Sequence, residues 1–270
     1  VEVGQVAILG GSFWQQVVNI DKNTPPPLDM NIRVNPHVIP NLSQAEGITF
    51  FSGLVMRWFR DAFCDMEKLE AKEQGVDVYA IMEEKASKVP VGSYGILPIF
   101  SDSMKYSKWY HAAPSFLNLS INPEICNRAS MFRSLQENAA IVSSINLDKI
   151  KEFSDVKIET IVFAGGASKG KLWSQIVADV TGCRVIIPKV SEATALGAAM
   201  AAGVGIGIYK DISEAAKKLV VWDRVYEPNL ENKKIYDEIR VKFEKAYEVQ
   251  LKLVDDNITT SMWRAPGLVS

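Results

Sequence analysis

The stretch TIVFAGGASKGKLWSQIVADVTGCRVIIPKVSEATALGAAMAAG, Thr160 to Gly203, decides the fold. Its apolar opening reads as a strand over Ile158–Phe163, broken at the pair Gly165-Gly166. Apolar residues at helical spacing then predict a helix over Lys171–Thr181. A β-branched run predicts a strand over Arg184–Pro188, and an Ala-rich segment predicts a helix over Glu192–Ala202. Ser191 is placed to cap that helix, and the Glu192 carboxylate suits the positive end of its dipole.

Working outward, VAILGGSFWQQVVNI (Val6–Ile20) reads as a hairpin turning at Gly10-Gly11-Ser12, where glycine supplies the permissive backbone. Residues 21–41 carry five prolines and read as a loop. The segment from Ile48 to Lys72 begins β-like and becomes helical, with Leu54, Trp58 and Phe59 on one face. A short helix falls between Val76 and Val89, ahead of Pro90. GILPIF and SFLNLSI read as strands, and Pro123–Asn146 as a helix. The tail from Glu231 to Asp255 is a charged helix with the apolar stripe Ile235, Ile239, Phe243, Tyr247 and Leu251. Strand pairs followed by helix–strand alternation define an α/β domain with a mixed sheet flanked by helices.

The chain has 270 residues, 47% of them hydrophobic, and a net charge of -2. No basic excess is available to neutralise phosphates, so a nucleic-acid partner is not expected. Apolar runs such as Ala195–Val204 are too short for a membrane span. Cys64, Cys126 and Cys183 form no CxxC pair, which points to a reduced, cytoplasmic setting and no metal cluster. The three Asn-X-Ser/Thr sequons, at Asn41, Asn118 and Asn257, read as chance. The first residue is Val1, so a longer parent chain is expected.

Two glycine turns carry the chemistry. In Gly165-Gly166-Ala167-Ser168-Lys169-Gly170 a strand ends and a helix opens, and the missing side chains let backbone N–H groups approach a base, a ribose or a phosphate. Taken alone, the pair is equally a structural turn. It is neither GxGxxG nor GxxxxGK[ST]. Gly10-Gly11-Ser12 adds a second turn, ending in a hydroxyl. Two such turns on one α/β domain point to a nucleotide between them.

LGGS after an opening strand, FAGGASKGKLWSQIVADVTG and SEATALGAAMAAGVG resemble the C-terminal half of FGGY-type carbohydrate kinases. The resemblance runs over nearly the whole chain, and the strings NPHVIP, MRWFRDAFC, GILPIFSD, WYHAAPSFLNLS and SMWRAPGL resemble one member of that family in particular. It implies an actin-like ATPase (ribonuclease H-like) domain spanning residues 1–270, with the N-terminal substrate domain absent. It implies ATP with Mg²⁺ as cofactors and a small carbohydrate-like acceptor. Ribulose, xylulose and glycerol kinases are the neighbouring readings, and a non-catalytic actin-like regulatory module is a rival of another class. Position by position, the resemblance assigns the phosphates to Gly11 and Ser12. Gly53 and Arg57 would line the nucleotide, with Arg57 standing where such kinases often have Gln. The adenosine turn matches Gly165, Gly166 and Ala167, with Gly170 where Asn is usual. Asn118 stands where the family's second signature has glycine.

Phosphoryl transfer to a hydroxyl uses a carboxylate to accept the proton. In the family it is an Asp of a Gly-Gly-Asp-like motif, which by spacing would lie about ten residues upstream of Val1. No catalytic base is therefore expected within this chain. Asp61 reads as a solvated partner of Arg60, Asp102 as a turn or substrate-edge acid, and Glu192 as a helix-start acid. His37 and His111 sit in loops with no carboxylate at catalytic spacing. Trp109 and Tyr110 read as core aromatics or pocket walls, and Lys169 and Lys171 as solvated. The tail helix, or an apolar face, offers a route to a homodimer.

Overall fold

The computed structural model describes residues 5–29, 31–103 and 110–264. Trp109 lies outside them. The expected hairpin forms from β1 (Val6–Gly10) and β2 (Trp14–Asp21), paired from Val6 opposite Val18 to Gly10 opposite Trp14. The proline-rich segment is not all loop. It contains β3 (Arg33–Pro36), and β4 (Leu42–Thr49) follows it, both antiparallel to their neighbours. β4 reads LSQAEGIT, too polar for an apolar template, and is held by pairing with β2 along its whole length.

Three helices follow: α1 (Ser52–Phe63), α2 (Asp65–Gln74) and α3 (Val78–Ser87). On α1 the buried face is Val55, Met56 and Phe59, while Leu54 and Trp58 are exposed. The expected face is therefore rotated. β5 (Leu97–Ile99) and β6 (Ser115–Leu117) form a separate antiparallel pair. The long α4 (Arg128–Ser154) starts at a reciprocal cap between Asn127 and Ser130 and is buried over most of its length.

The deciding stretch then folds as β7 (Thr160–Ala164), α5 (Lys171–Thr181), β8 (Arg184–Pro188) and α6 (Ala193–Gly205). On α5, Trp173, Ile176, Val177 and Val180 face the core, and Gly182 ends the helix at φ 67, where glycine is least strained. Glu192, not Ser191, occupies the cap position of α6, and no side chain caps that helix. The chain closes with α7 (Ile212–Leu219), β9 (Trp222–Tyr226) and α8 (Leu230–Asp255). On α8, Phe243, Tyr247 and Leu251 are buried as expected. Tyr236, not the exposed Ile235, continues the stripe.

The main sheet has seven strands in the order β3-β4-β2-β1-β7-β8-β9. β1, β7 and β8 run parallel at its centre, and the other pairings are antiparallel. One core joins sheet, α4, α5 and α8 through Ile8, Trp14, Phe163, Trp173 and Tyr236. The parallel strands all end on one side, and in open α/β sheets that side is where ligands bind.

Candidate nucleotide site

β1 ends at Gly10 and β7 at Ala164, so the two glycine turns leave the sheet side by side. They are in contact. A methyl on Gly10 would stand 2.8 Å from the Ala167 Cβ, and one on Gly165 would stand 2.8 Å from the Gly10 carbonyl oxygen. Gly165 is also at φ 96, a region an L side chain rarely adopts. Its N–H donates to the Ser191 carbonyl at 3.2 Å, tying in the loop after β8.

The Gly10–Ser12 turn also meets the start of α1. The Leu54 N–H donates to the Ser12 carbonyl at 3.2 Å. A methyl on Gly53 would collide with the Gly11 carbonyl, lying 3.0 Å from its carbon and 3.3 Å from the Ser12 Cα. The residue before α1, Phe51, is at φ 61, an outlier for a bulky side chain. It is wedged among Phe13, Phe50 and His111. α1 has no side-chain cap and no acid in its first turn. Among the described residues, its positive end thus meets the Ser12 carbonyl but no side-chain cap or first-turn acid, and it lies beside Gly11 and Ser12, both exposed. Arg57 is exposed one turn further on and makes no hydrogen bond or ion pair with another described residue.

The structure brings only some of the site residues together. Gly11, Ser12 and Gly53 meet at one point, with Arg57 on the adjacent helix face. Gly165 and Ala167 lie against Gly10, the residue before that point. Gly166 is exposed, and a methyl there would meet nothing within 4 Å. Gly170 faces elsewhere: a methyl on it would run into the Glu83 carboxylate, 2.9 Å from Cδ. Glu83 accepts from the Trp173 N–H at 3.3 Å and from Gln136 Nε2 at 3.1 Å. The Lys171 and Leu172 N–H groups also favour its charged form. Burial outweighs these donors and pushes its carboxyl above the ordinary range. The positive end of α5 is thus occupied by a protein carboxylate, whereas that of α1 is not.

Asp61 is exposed and paired with Arg60 at 2.7 Å. Glu192 is exposed, 3.9 Å from Lys169, and Lys171 is exposed. His37 Nδ1 accepts from the Ile39 N–H at 2.9 Å. His111 does have a carboxylate, contrary to the sequence reading: Asp102 Oδ2 lies 2.9 Å from its Nδ1, and the Tyr247 hydroxyl donates to the same oxygen. Both residues are buried, and the pair fastens the end of β5 to α8 and to Phe50. Tyr110 donates to Asp255 and stacks under Arg264. No group of three or more His, Cys, Asp or Glu able to hold a metal ion occurs among the described residues.

Sequence reading missed Arg224. From β9 its guanidinium donates to the Ser168 carbonyl at 2.9 Å and approaches that of Lys169 at 3.5 Å. No local motif announces it.

Residues 18–206 match the C-terminal domain of the FGGY family of carbohydrate kinases, and the chain belongs to that family. Within it, the chain is similar to the autoinducer-2 kinase of Enterobacter sp. (strain 638), 60% identical over 269 residues, covering 100% of this chain and 51% of that protein. The autoinducer-2 kinase of Yersinia enterocolitica is 58% identical over 268 residues, covering 99% and 50%. The chain therefore spans about half the length of these relatives. In fold it resembles the xylulose kinase of Rhodospirillum rubrum, with a TM-score of 0.73 at 20% identity, covering 94% of this chain and 48% of that one. It also resembles the glycerol kinase of Plasmodium falciparum solved with ADP, with a TM-score of 0.69 at 16% identity, covering 91% and 47%. The architecture is that of the actin-like ATPases, as expected.

Proposed function

We propose that this chain is the ATP-binding half of a carbohydrate kinase, and specifically of one acting on the autoinducer-2 precursor 4,5-dihydroxypentane-2,3-dione at a terminal hydroxyl. The observation that carries the nucleotide reading is the meeting of three elements at the carboxyl ends of the parallel strands. They are the Gly11–Ser12 turn, the positive end of α1, which no side chain caps, and the open face of Gly166. The relatives' name and their 58–60% identity support the substrate.

In this reading the Gly11 backbone and the Ser12 hydroxyl orient phosphate oxygens, with α1 and Arg57 supplying positive potential. Gly165, Gly166 and Ala167 let the adenosine lie against bare backbone, and Gly170 serves by admitting the Glu83 carboxylate. Phosphoryl transfer is mostly positioning and charge stabilisation, which such a site provides without a reactive side chain. Mg²⁺ held by phosphates needs only one or two carboxylates, so it would come with the nucleotide. The proton-accepting Asp and the acceptor pocket belong to the upstream half. α6 supports such a half: it is apolar all round yet buries only Met200 and Gly203, as a helix does when another body covers it. Closure of the two halves would exclude water.

No helix among the described residues is long and apolar enough to cross a membrane. The three free cysteines fit a reduced cytoplasm, where ATP is supplied. The test is ATP-dependent phosphorylation of the dione, ribulose, xylulose and glycerol. The protein would be extended upstream to the relatives' length and compared with this 270-residue chain. The expected result is preference for the dione with the short chain silent. Equal turnover by the short chain would overturn the half-enzyme reading, and preference for a sugar would overturn the substrate.

A further inference from the structure

The turn from Gly165 to Gly170 is held from behind by its carbonyl groups. The Gly165 carbonyl accepts from the Ser168 N–H at 3.2 Å and from the Ser168 hydroxyl at 2.8 Å. The Gly170 carbonyl accepts from the Ser174 hydroxyl at 2.7 Å. The Ser168 carbonyl belongs to a residue only 1% exposed. It accepts from Arg224 Nη2 at 2.9 Å, while Nη1 lies 3.5 Å from the Lys169 carbonyl. In a trans peptide the C=O and the next N–H point in opposite directions. A carbonyl fixed toward the protein therefore fixes the following N–H away from it. By the same rule the Arg224-held Ser168 carbonyl sets the direction of the Lys169 N–H, and the Gly165 carbonyl sets that of the Gly166 N–H, on a residue where an added methyl would meet nothing within 4 Å.

Arg224 is the one member of this set that comes from a distant element, 56 residues from Ser168. Its own geometry is fixed on two further sides. Nε donates to Asp223 Oδ2 at 2.9 Å, and Nη1 donates to the Tyr226 hydroxyl oxygen at 3.1 Å. A planar guanidinium can serve the turn, Asp223 and Tyr226 together, whereas a lysine ammonium cannot reproduce that fork. The contact also reaches beyond its own turn. The Gly165–Ala167 backbone lies against Gly10, and Gly11 lies against Gly53. A turn that rotates on loss of Arg224 would change the spacing of all three pieces.

We propose that Arg224 is a positioning residue for nucleotide binding: it clamps the Gly165–Gly170 turn through its carbonyls so that the outward face stays set for the ligand. This rests on the nucleotide reading above. It assigns Arg224 no contact with the ligand and no role in the chemical step. The side chain is 28% exposed on the last strand of the sheet, so its replacement leaves the core residues untouched.

The experiment titrates ADP into the chain by calorimetry, using wild type, Arg224→Lys and Arg224→Met. Amide hydrogen exchange is followed on the same three proteins. The expected result is about a tenfold weaker ADP affinity for Arg224→Met, as follows when the unclamped turn is set for the ligand only about a tenth of the time. Arg224→Lys should fall between the two. Exchange should quicken in the peptide covering residues 165–170 and stay unchanged in β2 and β4. Wild-type affinity in Arg224→Met overturns the proposal. So does a loss accompanied by faster exchange in β2 and β4, because Arg224 then supports the fold at large. Absence of ADP binding by the wild type overturns the nucleotide reading itself, and this proposal with it.

Discussion

Replacing Gly53 and Gly166 one at a time by alanine separates glycines that the protein itself needs from one that a ligand needs. A methyl on Gly53 would be driven onto the Gly11 carbonyl, 3.0 Å from its carbon and 3.3 Å from the Ser12 Cα. These are backbone atoms of a turn that also receives the Leu54 N–H, so they cannot swing aside as a side chain would. Overpacking of this kind costs about 1–3 kcal/mol. The gain in helix propensity on leaving glycine is at most about 1 kcal/mol and smaller in a first turn. With so small a gain the net loss stays at about 1–3 kcal/mol, and for a chain of this size each kcal/mol lowers the midpoint by roughly 2–4 °C. Gly166 differs, since a methyl there has no atom within 4 Å and no positive φ opposes it. Its stability should stay within about 0.5 kcal/mol of wild type, or rise slightly as the unfolded chain loses freedom. The methyl would nevertheless occupy the side on which the nucleotide lies. ADP affinity should then fall at least fivefold, taking the low end of the same overpacking cost, about 1 kcal/mol. Thermal melts and ADP calorimetry on both variants are the assay. Normal ADP affinity in Gly166→Ala would refute the placement of ligand over this turn. A stable Gly53→Ala would refute the close approach of the turn to α1.

Arg57→Ala should leave the melting midpoint within about 2 °C, since no fold contact is lost, and should weaken ATP more than AMP; equal effects on both would remove Arg57 from the phosphates. Trp14→Phe and Trp173→Phe form a second pair. Trp14 is fully buried with its indole N–H unpartnered, whereas Trp173 donates to the Gln136 carbonyl at 3.0 Å. Denaturant titration should find Trp173→Phe the costlier by about 1 kcal/mol, because only it strands an acceptor. Glu83→Gln tests the carboxylate at the head of α5. Burial raises the Glu83 pKa above 4.5, so the folded state holds this proton more tightly than the unfolded one. Stability from this group is therefore greatest below pH 4.5 and declines as pH rises through the folded pKa. Stability curves of wild type and Glu83→Gln should meet at low pH, with the variant gaining relative to wild type from about pH 4.5 upward; a constant gap would contradict this.

The elements read best from sequence were those whose signals are local. α5 and β8 fall on the expected residues because the apolar face of α5 and the terminating Gly182 lie within a few positions of one another. The buried face of α1 differs from the expected one because neighbouring helical templates overlap: Val55 and Met56 stand beside Leu54, and only packing decides which set is buried. β4 stayed hidden since its polar residues are stabilised by partners on β2 and β3. The glycine turns were legible as motifs, yet their meaning divides residue by residue. Gly170 is explained by Glu83, which lies on α3, and no spacing rule reaches that far. Asp102 and His111 are nine residues apart, a distance that matches no helical or strand repeat. Arg224 required the order of the sheet to bring β9 behind the turn.

The most direct test of the account is an amide NMR titration of this chain with ADP. Shifts concentrated at Gly11, Ser12, Gly53, Gly166 and Ala167, with Lys171–Trp173 little changed because Glu83 already occupies those N–H groups, are the expected result. No shift at saturating nucleotide, or shifts centred on the start of α5, would contradict it.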